Sequence, residues 1–246
     1  MCGRYAIAPS RNDAWASVAS ELGAALAEEL SALKPRYNIP PSLDIPIIIQ
    51  DPDTREYRAI SARWGFIPHW WRNTKLPSMT NNVRVEGAAD KPMWRDAWRR
   101  SRCLIPVTHW YEWQERAQAA AEGRKPLKIK QPWALSSTNG SGFMFAGLWA
   151  SWKPPTGGDP VASAAVVTRD AAPSVAHVHD RMPVILHPRA WSRWLSPDVN
   201  DPQNVAEILE VNAILEARTW PVTRLMSKPV FNGPECLDPI DDSENK

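Results

Sequence analysis

Long apolar runs are missing from this 246-residue chain. The longest, around Ile45–Ile49, is strand-sized and contains Pro46, far short of the ~18 residues a membrane span requires. The opening Met1-Cys2-Gly3-Arg4-Tyr5 has no apolar stretch behind a basic one, so no secretory signal is expected. Cysteine is scarce. Cys2, Cys103 and Cys236 are odd in number and far apart, which excludes a disulfide framework and every C-x-x-C metal motif. No H-E-x-x-H spacing occurs either. Neither a metal nor a cofactor is therefore expected, and a reducing cytoplasm suits the chain. No sign of charge dominates, since 29 Lys and Arg stand against 27 Asp and Glu. Hydrophobic residues make up 43% and charged residues 23%. Those values, with this length, provide for a sizeable core and exclude disorder as the main state.

The charge that is present is unevenly placed. From Arg55 to Arg102, eleven Lys and Arg face four Asp and Glu, a local excess of +7. The last twelve residues, 235–246, hold five acids and one lysine, and are expected to form a disordered acidic tail behind a single domain over residues 1–234. Arginines number 20 against 9 lysines, and there are 14 tryptophans. Several are neighbours, as in Arg63-Trp64, Trp71-Arg72, Trp94-Arg95 and Trp98-Arg99. Arginine binds phosphate bidentately and stacks on flat rings, so this interleaving suits a groove for single-stranded nucleic acid. Composition alone favours the plainer reading, a tryptophan-rich core under a solvated basic face.

Periodicity predicts an amphipathic helix from Asp13 to Leu33, with Trp15, Val18, Leu22, Leu26, Leu30 and Leu33 on one face and Asn12 or Asp13 as its cap. Strands are expected at Ile45–Gln50, Tyr57–Phe66, Arg102–Val107, His109–Gln114, Leu127–Ser136, Phe143–Trp149, Val161–Thr168 and Pro183–His187. Short helices are expected over Pro92–Arg100, Arg189–Leu195 and Val205–Val211, and loops at Pro68–Thr80, Gln118–Lys125 and Lys153–Pro160. The order of elements predicts one α+β domain with a largely antiparallel, barrel-like sheet and flanking helices.

Cys2 carries the clearest chemical signal. Removal of Met1, commonly permitted by a small second residue, would leave an α-amine and a thiol on adjacent carbons. Their reference pKa values, about 7.7–8.0 and about 8.5, make both partly nucleophilic near neutrality. Such a 1,2-aminothiol condenses with an aldehyde to an imine, which the sulfur closes to a thiazolidine. An internal cysteine cannot do this, because its nitrogen is an amide. By itself, a small residue at position two is better read as simply permitting methionine removal; the flanks change that weighting. Gly3 allows close backbone approach, and Arg4 sets a cation beside the terminus.

Met1-Cys2-Gly3-Arg4-Tyr5 is also the first of seven blocks in one order. The others are Arg36-Tyr37-Asn38-Ile39-Pro40-Pro41; Arg63-Trp64-Gly65-Phe66-Ile67-Pro68 with Trp70-Trp71; Asn82-Val83-Arg84-Val85-Glu86; Arg102-Cys103-Leu104-Ile105-Pro106 leading to Trp110-Tyr111-Glu112-Trp113; Ala146-Gly147-Leu148-Trp149; and His179-Asp180-Arg181-Met182-Pro183-Val184-Ile185-Leu186. Together they resemble the SRAP family, the SOS-response-associated peptidases. The resemblance implies a sensor of abasic sites in single-stranded DNA that forms a thiazolidine crosslink through Cys2 to the ring-opened sugar. Asn82 would position the sugar or the terminus, Glu112 would act as general acid and base, and His179 would assist ring opening. Arg4, Arg84 and Arg181 would contact phosphates, and Trp70 or Trp71 with Pro41 would wedge against stacked bases. The family name also carries a peptidase label, tied to removal of whatever precedes the cysteine. A monomer, cytoplasmic and on the nucleoid after damage, with no membrane partner, is the corresponding expectation. Val83, Gly87 and Val107-Thr108-His109 depart from the family's usual Ala, Thr and Ala-Asp-Gly.

The residues bear independent readings. Strand alternation puts Glu112 beside Trp110 on one face, with Tyr111 and Trp113 on the other, so a raised carboxyl pKa is expected. His179 titrates near neutrality. His69, His109, His177 and His187 read as structural, and Cys103 and Cys236 as inert. Two other functions fit: an N-terminal-nucleophile peptidase and a non-covalent single-strand binder.

Overall fold

The computed structural model describes residues 2–9, 13–118 and 127–241. In chain order its elements are β1 (Tyr5–Ile7), α1 (Ala16–Glu21), α2 (Ala24–Ser31), β2 (Arg36–Ile39), β3 (Asp44–Gln50), β4 (Tyr57–Trp64), β5 (Asn82–Arg84), α3 (Arg95–Arg100), β6 (Arg102–Val107) and β7 (His109–Gln118). Then follow β8 (Leu127–Ser136), β9 (Phe143–Trp152), β10 (Val161–Asp170), α4 (Pro173–Ala176), β11 (Arg181–Pro183), β12 (Ile185–Leu186), α5 (Trp191–Leu195), α6 (Pro202–Asn212), β13 (Ala213–Ile214) and β14 (Arg218–Pro221). No helix among the described residues is long and apolar enough to cross a membrane.

The strands form two sheets. One is antiparallel, in the order β14-β8-β7-β1-β2. In the other, β10-β4-β3-β6-β9 run side by side, and β9 pairs back onto β10. That closure makes the expected barrel and removes the open edges a flat sheet would leave. The β10–β4 and β10–β5 pairs are parallel; the other pairs are antiparallel.

Period-two alternation divides the five-stranded sheet between two cores. Tyr5, Ile7, Trp110 and Leu135 enter the main core, while Ala6, Tyr111 and Ala134 enter a small outer one with Val222, Met226 and Cys236. The outer core is closed by single turns at Arg224–Ser227 and Pro234–Leu237. This corrects the expected disordered tail. Burial of Cys236, the bond from Trp220 Nε1 to the Leu237 carbonyl (2.8 Å) and a bridge between Val222 and Pro239 hold the chain to residue 241. Residues 242–246 lie outside the described part.

The expected long first helix is two helices. Gly23 has φ +114°, a value L side chains rarely adopt, and it breaks the run between α1 and α2. Asn12 lies outside the described residues, and Trp15, with no side-chain bond, occupies the cap position of α1. Pro183–His187 is not one strand but part of β11 and all of β12. The expected 118–125 loop, beyond Gln118 at the end of β7, lies outside the described residues.

Arg102 ties the helices to the barrel. It is 2% exposed, and its five donors reach the carbonyls of Trp194, Trp98, Arg99, Ser196 and Val199 at 2.5–2.8 Å. Several of these carbonyls lie at or near helix C-termini, where backbone acceptors lack intrahelical partners. With every donor satisfied, a buried guanidinium is tolerated without a carboxylate.

Candidate active site

Pairing of β1 with β7 places the N-terminal segment. Tyr5 lies opposite Trp110, and the Tyr111 N–H donates to the Arg4 carbonyl at 3.0 Å. Continued one residue, this register sets Gly3 level with Glu112. Cys2 is fully buried. Its carbonyl accepts from Asn82 Nδ2 at 2.7 Å and from Asn81 Nδ2 at 3.3 Å. Pairing of β5 with β10 fixes both asparagines from below: Asn82 lies opposite Val166, and the Val166 N–H donates to the Asn81 carbonyl. The Asn82 Oδ1 is buried with no partner among the described residues, an acceptor aimed into the site. Burial, and then the Glu112 charge, push the Cys2 thiol well above its ordinary pKa. At neutral pH it is a thiol, and it needs a base as it attacks.

Glu112 is 1% exposed, and burial pushes its pKa up to about 7. It can thus take and return a proton near neutrality. His179 Nε2 lies 3.9 Å from Glu112 Oε2, a gap that a bridging hydroxyl spans. The Arg181 N–H donates to His179 Nδ1 at 2.9 Å, and Asp180 Oδ1 is 2.8 Å from the same nitrogen. One nitrogen serves only one of these at a time: it accepts from Arg181 when the ring is neutral and donates to Asp180 when it is protonated. Burial holds the His179 pKa below its usual value. We therefore assign the neutral ring at pH 7, with its proton on Nε2, toward Glu112. The pair opens into a cleft of about 800 Å³ whose walls include Trp113, Glu115, Lys130, Val178, Asp180 and Ser227. No group of three metal-ligating side chains occurs among the described residues.

Cys2, held through its carbonyl by Asn82, shares this region with a buried acid and a histidine, and the sequence profile of the SOS response associated peptidase (SRAP) family matches residues 1–229. The chain belongs to this family. Its curated SRAP relatives include the abasic site processing protein YoqW of Bacillus subtilis, 31% identical over 204 residues that cover 83% of this chain and 86% of that protein. The abasic site processing protein YedK of Escherichia coli is 26% identical over 242 residues (98% and 100%), and HMCES of Xenopus tropicalis is 28% identical over 229 (84% and 67%). Among solved structures, a protein from Bacteroides thetaiotaomicron shares the fold with a TM-score of 0.74 at 22% identity, covering 97% of this chain and 100% of that one. A phage-related protein from Bordetella bronchiseptica gives 0.64 at 28% identity (91% and 95%).

The structure brings Cys2, Asn82, Glu112 and His179 of this SRAP chain together. Two of the three arginines expected at phosphates are engaged within the protein instead. Arg181, 8% exposed, binds Glu86 through two bonds at 2.7 and 3.0 Å, and it also contacts Asp170 and the Thr168 carbonyl. Arg4 donates to Asn38 Oδ1 (2.7 Å) and to the Met226 and Ser227 carbonyls, with its guanidinium 5.8 Å from the Trp113 ring. The Nη groups of both guanidiniums are served by acids, an amide oxygen and carbonyls from elsewhere in the fold, while each Nε is buried without a hydrogen-bond partner among the described residues. Arg84 alone of the three is exposed. Trp70 is 38% exposed and Trp71 half-buried, their rings 6.1 Å apart. Pro41 lines a separate, smaller cleft with Arg63, Met79 and Asn81.

Asn81, Asn38 and Ser227 are the contributors that sequence reasoning missed. The Asn81-Asn82 doublet is a usable signal for the first. Ser227, whose Oγ accepts from Trp113 Nε1 at 3.1 Å, reaches the cleft from the far end of the chain and has no sequence signal.

Proposed function

We propose that this protein captures abasic sites in single-stranded DNA as a covalent thiazolidine at Cys2, once Met1 has been removed. The observation that carries this reading is Cys2 pinned by its carbonyl to Asn82 beside a buried Glu112 of pKa about 7. The abasic sugar is mostly a closed hemiacetal. Ring opening moves a proton from the C1 hydroxyl to the ring oxygen. Glu112 takes that proton and passes it to the ring oxygen as the C–O bond breaks, while neutral His179 steadies the developing charge with a hydrogen bond from Nε2–H. The freed α-amine adds to the aldehyde carbon to give a carbinolamine. Glu112 takes the proton left on the carbinolamine nitrogen and delivers it to the hydroxyl, which leaves as water and gives a neutral imine. The thiol then adds to the imine carbon, and its proton ends on the nitrogen. One C–N bond and one C–S bond form, and one water is lost. The open Asn82 Oδ1 suits a sugar hydroxyl or the α-amine as donor.

Intact mass spectrometry with an oligonucleotide carrying one abasic site tests this. Protein lacking Met1 is expected to gain the DNA mass minus one water, and Cys2→Ala to gain nothing. A retained first residue, or an adduct that persists in Cys2→Ala, would sink the proposal. Peptide turnover that depends on Cys2 and ignores DNA would favour the peptidase reading instead.

A further inference from the structure

A second cleft, of about 450 Å³, lies away from Glu112 and His179. Phe66, Met93 and Trp149 are part of its apolar wall, Trp70 stands at its rim, and Arg99 and Arg100 border it. Both arginines are exposed, on the last turn of α3. The carbonyls of that turn are served from inside by Arg102, so Arg99 and Arg100 have no capping duty. Among the described residues no acid pairs with either. Asp96, the acid lining this cleft, lies 3.7 Å from Arg95 Nε. The cleft therefore combines flat apolar rings with uncompensated positive charge, inside the +7 segment of the sequence.

Its position is set by β10. Asn82 pairs with Val166, and Trp149 pairs with Ala164, two residues further along the same strand. Asn82 and Trp149 flank β10 from its two sides, so at about 3.3 Å per residue along the strand and about 4.8 Å per strand across it, their backbones lie ~12 Å apart. A strand of DNA held at Cys2 meets this cleft within a few nucleotides.

The geometry points to a subsite for an unstacked base of the lesion-bearing strand, with Trp149 and Trp70 as stacking surfaces and Arg99 and Arg100 on the neighbouring phosphates. Stacking on aromatic rings beside a cationic track is how single strands are held without sequence readout. Two adjacent cations that no acid pairs favour a polyanion over a basic peptide. This inference rests on the proposed DNA reading and adds to it a contact that the covalent chemistry does not require.

The test uses fluorescence anisotropy with full-length protein and single-stranded oligonucleotides that carry no aldehyde. Single positions are replaced in turn by a tetrahydrofuran spacer, which removes one base and keeps its phosphate. Wild type is expected to lose about 10-fold in affinity at one position, and Trp149→Ala to lose nothing further there. Arg99→Gln combined with Arg100→Gln, both on the surface, is expected to flatten the slope of log K against log salt by ~1.4. The inference is overturned if no position is silenced by Trp149→Ala and the double variant keeps the wild-type slope. It is equally overturned if the double variant alters only self-association in sedimentation. Failure of wild-type protein to crosslink abasic DNA would count against the Cys2 reading alone, because these binding measurements contain no reactive sugar.

Discussion

Glu112 shows how one environment sets both chemistry and stability. In the folded chain its pKa is about 7, against ~4.3 in an unfolded one. A carboxyl raised in this way stabilises the fold fully below pH ~4.3, and that contribution is lost as pH rises through about 7. The shift corresponds to on the order of 4 kcal/mol. Glu112→Gln carries no such penalty. We predict that it resists urea better than wild type at pH 8, that the gain vanishes near pH 4, and that its capture rate falls by about 10²–10⁴. Urea titrations at both pH values and single-turnover kinetics check this; equal stability at pH 8 would contradict the buried-acid assignment. Sequence alone pointed to this residue, because strand alternation through Trp110-Tyr111-Glu112-Trp113 sets the carboxylate beside Trp110; a surface or salt-bridged glutamate fits the same pattern, and only the fold buries it. The sequence could not show that Arg4 and Arg181 are engaged internally. The acceptors of Arg4 lie 34 to 223 residues away, and no local pattern encodes such a pairing.

At the level of elements, the segment after β14 matters most to the site. Asn38, on β2, donates to the carbonyls of Met226 (2.8 Å), Lys228 (3.2 Å) and Phe231 (2.6 Å), and accepts from Arg4. The N-terminal strand, β2 and the C-terminal turns are thereby locked together around one buried amide. Removing that amide leaves buried polar groups without partners, each costing ~1–3 kcal/mol. Asn38→Ala is expected to lower Tm by roughly 5–10 °C and to slow capture by loosening the Cys2 segment. Calorimetry and crosslinking time courses measure the two effects; an unchanged Tm would mean that the lock is dispensable. Long strands such as β3, β4, β8 and β10 were legible from their apolar patterns. The short β1, β2 and β14 were not, since three or four residues carry too little periodicity and exist only because neighbours complete their ladders. The break at Gly23 was hidden for a related reason: the apolar spacing continues across it, while the backbone does not.

For the whole molecule, a net charge of +2 conceals the +7 excess between Arg55 and Arg102. Binding of single-stranded DNA is expected to depend steeply on salt, with ~0.7 in the log–log slope for each phosphate neutralised. The structure separates an arginine that faces solvent, Arg84, from those engaged within the protein, Arg4 and Arg181. Arg84→Gln should flatten the slope by ~0.7, while Arg181→Gln should leave the slope alone and lower Tm, because it strands Glu86 and Asp170. Salt titrations and thermal melts of the two variants, compared side by side, decide the matter; a flattened slope in Arg181→Gln would return it to the DNA surface.

The sequence by itself determined the fold class and the family and singled out Cys2, Asn82, Glu112 and His179, because those readings depend on residue identity and short-range pattern: a cysteine at position two, an asparagine and a histidine in ordered family blocks, a carboxylate in an apolar strand. Tertiary structure alone decided which cations face solvent, how the C-terminal turns hold Arg4, and where the barrel closes. Those outcomes depend on the burial and pairing of residues far apart in the chain, where desolvation makes each charged group seek partners that only the completed fold brings near.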